Sequence, residues 1–533
     1  MIRAGGIKVP LDFDFSQLEA FCARKLRIGA EHLKNVQLVK KSVDARKKAD
    51  VHFIISVDIE SDCEDRLLKM NKNAVRVEPY SYKVRKIAES TVRPVVIGFG
   101  PAGMFAALVL AMAGVRPIVL ERGADVDTRC EAVDKFRSEG ILDPECNVQF
   151  GEGGAGTFSD GKLTTGIKDR RIRFILEMFV KFGAPDEILY MAKPHIGTDK
   201  LRAVVKNLRK RVISLGGEVR FNARFTGFDA EGGTISAVRF EDAEGVHTIA
   251  AENVILAAGH SARDVFELLS DKNVEMSRKS FAVGVRIEHL RRDIDRAMYG
   301  DFADSPHLKA ADYKLAVHLP SGRALYTFCM CPGGYVMAAS SEEGRLAVNG
   351  MSLFARDAEN SNSALLVNID PDDLEGDDVL AGVRFQRDIE EKAFAAGGSD
   401  YSAPVATVGA FLRGKEEGLG RITPSYRPNY RFAMPESYLP DFVCDALRDG
   451  IVEMGRKIRG FDDDEAVLTG VESRSSSPVR VNRDAEDMQS LSLRGLFPCG
   501  EGAGYAGGIV SAAVDGIKCA EKIIDILSEG GNA

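Results

Sequence analysis

Apolar residues are densest between Arg93 and Gly123, where their spacing predicts strand, helix and strand in turn. Val95, Val96 and Ile97 form a short continuous run of the buried-strand kind, 104–113 is apolar and long enough for a helix, and 117–120 is a second strand. Gly98-Phe-Gly100-Pro-Ala-Gly103 separates the first strand from the helix, and Glu121-Arg122-Gly123 ends the second strand. Elsewhere the pattern is looser. Upstream, an extended segment at 7–11, a helix opened by Asp14 or Ser16 with Leu18, Phe21 and Cys22 on one face, and β-rich segments at 36–39 and 51–57 predict a small α+β unit. Downstream, 250–258 reads as a strand ending at Gly259 and His260, residues 277–464 are strand-rich, and 509–527 is helical after a glycine-rich turn.

The glycines at 98, 100 and 103 fit G-x-G-x-x-G in its strand-turn-helix context. Gly98 makes the tight turn, Gly100 lets the backbone approach a pyrophosphate, and Gly103, next to Ala102, lets helix and strand pack closely. Phosphate then sits at the helix N-terminus, where free amides and the dipole favour an anion. Glu121, 18 residues after Gly103 and followed by Arg122, is placed to accept hydrogen bonds from a ribose. An acid there disfavours a 2′-phosphate, and so NADP. Two further stretches fit the letters and fail the context. After Gly151-Glu-Gly153-Gly154-Ala-Gly156, polar Thr157-Phe-Ser-Asp-Gly-Lys162 stands where a helix would begin; Gly502-Ala-Gly504-Tyr-Ala-Gly507 opens a helix, but no second strand with an acidic end follows.

At 533 residues the chain exceeds the ~250–300 that one hydrophobic core supports, so two or three domains are expected. With 45% hydrophobic and 28% charged residues it reads as an ordinary folded protein. A net charge of -8 gives no global basic field, so nucleic acid is not an expected partner. Nine cysteines, odd in number and mostly isolated, predict a reducing, cytoplasmic setting. Residues 1–13 lack the apolar core of a signal peptide, and the longest apolar stretch, 104–115, is shorter than the ~20 residues that span a bilayer, so no membrane is expected.

Taken together, the three glycine clusters resemble those of glutathione-reductase-type flavoproteins. These have an N-proximal fingerprint, a middle strand ending in small residues (here Ala258-Gly259-His260), and a late strand-turn-helix (here Gly500-Glu501 through Gly508-Ile509). More narrowly, the chain resembles a bacterial family of uncharacterised FAD-dependent dehydrogenases. That likeness rests on Asn147 to Lys162-Leu, Gly259-His-Ser-Ala-Arg263-Asp264, Cys329-Met-Cys331-Pro-Gly-Gly, Asn349-Gly-Met-Ser and Ser473-Arg-Ser-Ser-Ser-Pro-Val-Arg480. The resemblance implies one non-covalent FAD and no metal. It carries FAD contacts onto Gly98, Gly100, Ala102, Gly103, Glu121, Arg122, Gly153, Gly154, Thr157, Lys162, Ala258, Gly259, Gly500, Glu501, Gly508 and Ile509. The helix starting near Gly508 would turn its positive end toward the flavin's N1/C2-carbonyl edge. The implied fold is α/β: a discontinuous Rossmann-like FAD-binding domain (91–276 and 466–533), an inserted strand-rich α+β substrate or cap domain (277–465), and a small N-terminal ferredoxin-like α+β domain (1–90).

The candidate chemistry beside the flavin is Cys329, Cys331 and His260. In a strand, residues i and i+2 share a face with Cα atoms ~6.6 Å apart, so Cys329 and Cys331 are either a redox pair or two packed thiols. His260 is either an acid/base group or, by preference, a structural hydrogen-bonding histidine. Arg286, Arg474, Arg480 and Arg483 are candidates to clamp a substrate carboxylate or phosphate, against the ordinary alternative of salt bridges. The basic run Lys40 to Lys48 and the acidic run 370–378 read as solvated surface. The expected function is an FAD-dependent oxidoreductase exchanging hydride with a small organic substrate; the alternatives are a flavin-dependent RNA-modifying enzyme and a non-catalytic FAD-binding sensor. No second complete fingerprint exists for NAD(P)H, so a nicotinamide either binds transiently or is not the partner.

Overall fold

The protein is described by a computed structural model covering residues 1–87 and 93–530; the expected boundary between residues 90 and 91 lies outside the described residues. A mixed α/β architecture is built around a five-stranded parallel sheet in the order Leu496–Pro498, Val254–Leu256, Val95–Ile97, Ile118–Leu120, Glu218–Arg220. Four of its strands read as unbroken apolar runs because both faces are covered, and the edge strand Glu218–Arg220 does not. Val96, Val119, Ile255 and Phe497 face the helices Pro101–Ala113, Thr198–Ser214 and Ile509–Gly530. Val95, Ile97, Ile118, Leu120, Val254, Leu256 and Leu496 face a three-stranded antiparallel meander, Arg224–Glu231, Thr234–Asp242 and Gly245–Ala250, and the helix Arg263–Asp271. Helix Pro101–Ala113 is apolar all round because it lies between the sheet and the last helix.

A seven-stranded mixed sheet occupies the strand-rich middle of the sequence, in the order Ala316–His318, Ala324–Cys331, Asn360–Ile369, Phe281–Leu290, Val467–Glu472, Ala403–Thr407, Tyr430–Phe432. All pairs are antiparallel except Ala403–Thr407 with Tyr430–Phe432. Helices Ala381–Ala396 and Asp441–Gly455 cover it. A two-stranded ribbon, Met276–Arg278 with Val479–Val481, lies where the chain leaves one sheet for the other.

The N-terminal residues form a separate antiparallel sheet, ordered Leu33–Asp44, His52–Ser61, Ile2–Val9, Ala74–Arg76, with helices Leu18–Leu26 and Glu64–Met70; the succession is β-α-β-β-α-β. The basic run is not simply solvated here. Lys41 exchanges backbone hydrogen bonds with Tyr190 and Ala192, at 2.7 and 2.8 Å, and its ammonium lies over Phe15 and Phe53. Lys48 donates to the Met298 carbonyl. Part of the run therefore docks the N-terminal sheet on the remainder of the protein. Among the described residues no helix is long and apolar enough to cross a membrane.

Candidate functional site

Strands Val95–Ile97, Val254–Leu256 and Leu496–Pro498 end side by side, and three glycine-rich segments leave from their carboxyl ends, the usual ligand edge of an open parallel sheet. Gly98 has φ +91°, and a Cβ there would overlap the Ala257 carbonyl; a Cβ on Gly103 would overlap the carbonyl of Gly98. A Cβ on Gly502 would stand 2.6 Å from the carbonyl carbon of Gly259. These contacts lock the three turns to one another. No side chain caps helix Pro101–Ala113, so its first amides, Ala102 and Gly103 among them, are left without a side-chain acceptor, with the positive end of the dipole behind them.

The loop after Gly151 closes over this start. Gly153 donates its amide to Phe99 at 2.8 Å, and a Cβ on Gly154 would stand 3.0 Å from the Gly100 Cα. Gly100 and Gly154 thus bracket the helix start, while Gly153 and buried Thr157, whose hydroxyl donates to the Glu152 carbonyl, hold the loop itself. The Ala102 side chain packs against Gly500, and its backbone carbonyl lies against Gly516 of the last helix. Gly156 approaches Ile509, tying the loop to that helix. Cβ atoms on Gly259 (φ +79°), Gly507 and Gly508 (φ +134°) would meet nothing, so these glycines border open space next to Ala258, Gly500 and Glu501.

Glu121 is buried, and its carboxylate accepts the amides of Phe99 (2.7 Å), Gly123 (3.0 Å) and Gly151 (2.9 Å). It organises the loops, with one lone-pair site left open on Oε2. Arg122 pairs with Asp264 and lies over the Phe150 ring. Two residues that sequence reasoning passed over complete the cradle. Arg129 is fully buried and donates to the carbonyls of Asn147, Val148, Gly151, Glu152 and Gly154; burial brings its guanidinium down to about 10. Its signal was an arginine on the apolar stripe of Val126, Val133 and Phe136. Asp160 is held by both arms of Arg356 and by Ser352, and the Arg356 and Lys162 charges lower its carboxyl despite burial.

His260 Nδ1 is buried with no hydrogen-bond partner among the described residues, and Nε2 lies 3.7 Å from Glu501 Oε1. Burial, together with Arg474, Arg263 and Lys279, pushes it down to about 3, so the ring is neutral. Burial raises the Glu501 carboxyl to about 7, against the opposing pull of the Gly508 amide and Lys279. A neutral imidazole beside a carboxyl that titrates near neutrality can pass or hold a proton.

The cysteine expectation needs correcting. A bulge between Phe328 and Cys331 breaks the strand alternation, so the two side chains do not share a face. Cys329, at φ +40°, is exposed; Cys331 is buried and its thiol donates to the Cys329 carbonyl at 3.2 Å. Both are free thiols, raised to about 12 and about 11 by desolvation. Lys162, which donates to the Met330 carbonyl, stands at the same bulge. Three of the four candidate arginines take the ordinary alternative, a salt bridge. Arg286 is spent on Glu472, Asn362 and the Cys329 carbonyl; Arg474 shares Glu390 with Arg263; Arg483 pairs with Asp515.

Residues 280–475 match the family described as "FAD-dependent protein, C-terminal domain-like", and residues 1–60 match "Domain of unknown function (DUF8436)". An uncharacterized protein of Clostridium beijerinckii is 47% identical over 531 residues, covering 98% of both chains. This chain belongs to that protein's family. Among solved structures, the FAD complex of glycerol-3-phosphate dehydrogenase from Bacillus halodurans is 12% identical with a TM-score of 0.35, covering 84% of this chain and 66% of that one. A flavoprotein/dehydrogenase from Cytophaga hutchinsonii is 13% identical with a TM-score of 0.37, covering 83% and 78%. Both scores are too low for an argument on function. The glycine-lined approach at Gly100 and Gly154, the uncapped helix start and the open space at Gly259, Gly507 and Gly508 fit the cofactor that the matched family names. The cofactor is FAD.

Proposed function

We propose that the protein is an oxidoreductase that exchanges hydride between its FAD and a small organic substrate, in a glutathione-reductase-type arrangement. In this reading the parallel sheet, drawn from 91–276 and 466–533, binds the cofactor, and the strand-rich segment 277–465 forms the wall on which the substrate lies. The single observation that carries the reading is the convergence of the Gly98, Gly259 and Gly500–Gly508 turns at one edge of the parallel sheet. When bound, FAD supplies two-electron acceptance or donation.

The chain's own residues set the rest. The free amides of Ala102 and Gly103 take the pyrophosphate, Glu121 accepts from the ribose, and the start of helix Ile509–Gly530 favours negative charge on the ring's pyrimidine side. Glu501 holds a proton near neutral pH, and His260, kept neutral, relays it. Cys329 borders the substrate side as a protonated thiol, so it acts by shape and by weak hydrogen bonding rather than as a thiolate. A nicotinamide, where one serves as the second partner, visits without a fingerprint of its own, and the site of action is the cytoplasm.

The test is direct. Protein purified and incubated with FAD is expected to retain it through gel filtration and to reduce it with NADH, NADPH or a metabolite pool faster than free flavin is reduced. Retention of FAD with no turnover from any source favours the sensor reading, and no retention at all refutes both.

A further inference from the structure

With Arg286, Arg474 and Arg483 engaged by carboxylates, two cations beside the Gly500–Gly508 turn form no ion pair among the described residues. They stand on the ribbon Met276–Arg278/Val479–Val481. Arg480 pairs across from Ser277, and Lys279, whose amide donates to the Pro478 carbonyl at 2.9 Å, follows two positions after Ser277. Side-chain alternation therefore puts Lys279 and Arg480 on one face of the ribbon. Arg480 is exposed, its guanidinium 5.3 Å from the centre of the Tyr505 ring. Lys279 is half-buried and makes no side-chain hydrogen bond or ion pair, although Glu501 lies near enough to act on it electrostatically. Burial and the Arg480 charge both depress it.

Two like charges kept together with no ion-paired counter-charge, one of them partly desolvated, oppose folding unless an anion joins them. The acid that faces them is Glu501, which burial holds partly neutral, and His260 adds no charge. Gly507 and Gly508 leave the adjoining space free of side chains, and the amides at the start of helix Ile509–Gly530 border it.

We propose that Lys279 and Arg480 form the binding site for the anionic end, a carboxylate or a phosphate, of the substrate. This rests on the FAD reading above and adds the substrate's chemical class to it. The substrate is then an organic acid or an organic phosphate, oriented with its anion toward the ribbon and its reacting carbon toward the flavin.

The experiment is a titration of the FAD-loaded protein with malonate and, separately, with inorganic phosphate, at constant ionic strength, followed by the visible flavin absorption. The native protein is expected to respond saturably to at least one of the two. Lys279→Met and Arg480→Met should each weaken that response by ~tenfold or more, with Lys279→Arg restoring most of it. The anion that gives the tighter response decides between the carboxylate and the phosphate. The proposal is overturned if neither anion acts saturably on the native protein, or if both methionine variants respond like it. It is also overturned if the variants lose FAD affinity while the anion response of their FAD-saturated form is intact, which assigns the two cations to the cofactor. Native protein that takes up no FAD refutes the underlying reading instead.

Discussion

The Cδ of Arg129 occupies the ground next to Gly151: a Cβ on that glycine, whose φ is +115°, would stand 2.5 Å from it, while Arg129 Nη1 donates to the Gly151 carbonyl at 3.2 Å. Arginine and glycine therefore specify one another. Arg129→Met would leave five buried carbonyls short of a donor, and the expected loss is at least ~3 kcal/mol of stability together with FAD affinity. Denaturant unfolding of the flavin-free variant, alongside FAD titration, checks both. An unaltered FAD dissociation constant would show that the 147–154 loop does not need this arginine.

Gly103→Ala gives a sharper separation. In an ordinary helix interior this change stabilises by ~1 kcal/mol, but here the new methyl would overlap the Gly98 carbonyl. The expected result is lower stability and a fall of ~100-fold or more in FAD affinity, since the turn must move away from the phosphate site. Calorimetry with and without FAD measures the two effects apart.

Glu501 makes stability depend on pH in a definite direction. Its carboxyl is raised from 4.5 to about 7 in the folded protein, so the folded state holds a proton that the unfolded chain releases. Below the ordinary carboxylate range there is no difference; as pH rises from there through about 7 the flavin-free protein loses stability, on the order of 2–3 kcal/mol. Glu501→Gln should remove this slope. Parallel melting curves of the native and variant proteins at several pH values between 4 and 8 would reject the idea if they kept a constant separation.

Glu390 behaves in the opposite sense. It is completely buried between Arg263 and Arg474, which hold its carboxyl well below the usual range. Its contribution is fully present above the ordinary carboxylate range and disappears as pH falls below it. Glu390→Gln leaves two buried guanidiniums undercompensated, at a cost of ~3–5 kcal/mol. Chemical denaturation at neutral pH reads the loss, and the variant should be less sensitive to acid than the native protein.

Cys329 and Cys331 should stay reduced. Mass mapping after alkylation, before and after treatment with a reductant, is expected to find the same free thiols, with Cys329 labelled slowly at neutral pH because its thiol is raised to about 12. Rapid labelling of Cys329 at that pH would mean that its surroundings lower the thiol instead of raising it.

What was legible in the sequence was local. Gly98, Gly100 and Gly103 act within one turn, so their spacing carries their geometry, and the strands at 95–97 and 254–256 declare burial on both faces by being apolar without alternation. The face expected to be shared by the two cysteines fails because period-two alternation has no symbol for a bulge, and the bulge at Phe328 is set by pairing with Asn360–Ile369. Arg129, Asp160 and Lys279 act through partners distant in sequence or through having none, and a single charged residue type does not disclose which. The basic run at Lys41 failed for the same reason: its partner, the 190–192 backbone, is brought there only by the tertiary fold.

The position of strand Leu496–Pro498 and helix Ile509–Gly530 bears on how the protein is made. Helix Pro101–Ala113, apolar on every side, is covered on one flank by a helix that the ribosome delivers about 400 residues later. At ~5–20 residues per second that flank stays bare for tens of seconds. The nascent chain thus carries an uncovered apolar flank through most of its synthesis, and the strand, turn and helix at 496–530 complete the glycine-rich edge of the sheet only after the rest of the chain has emerged.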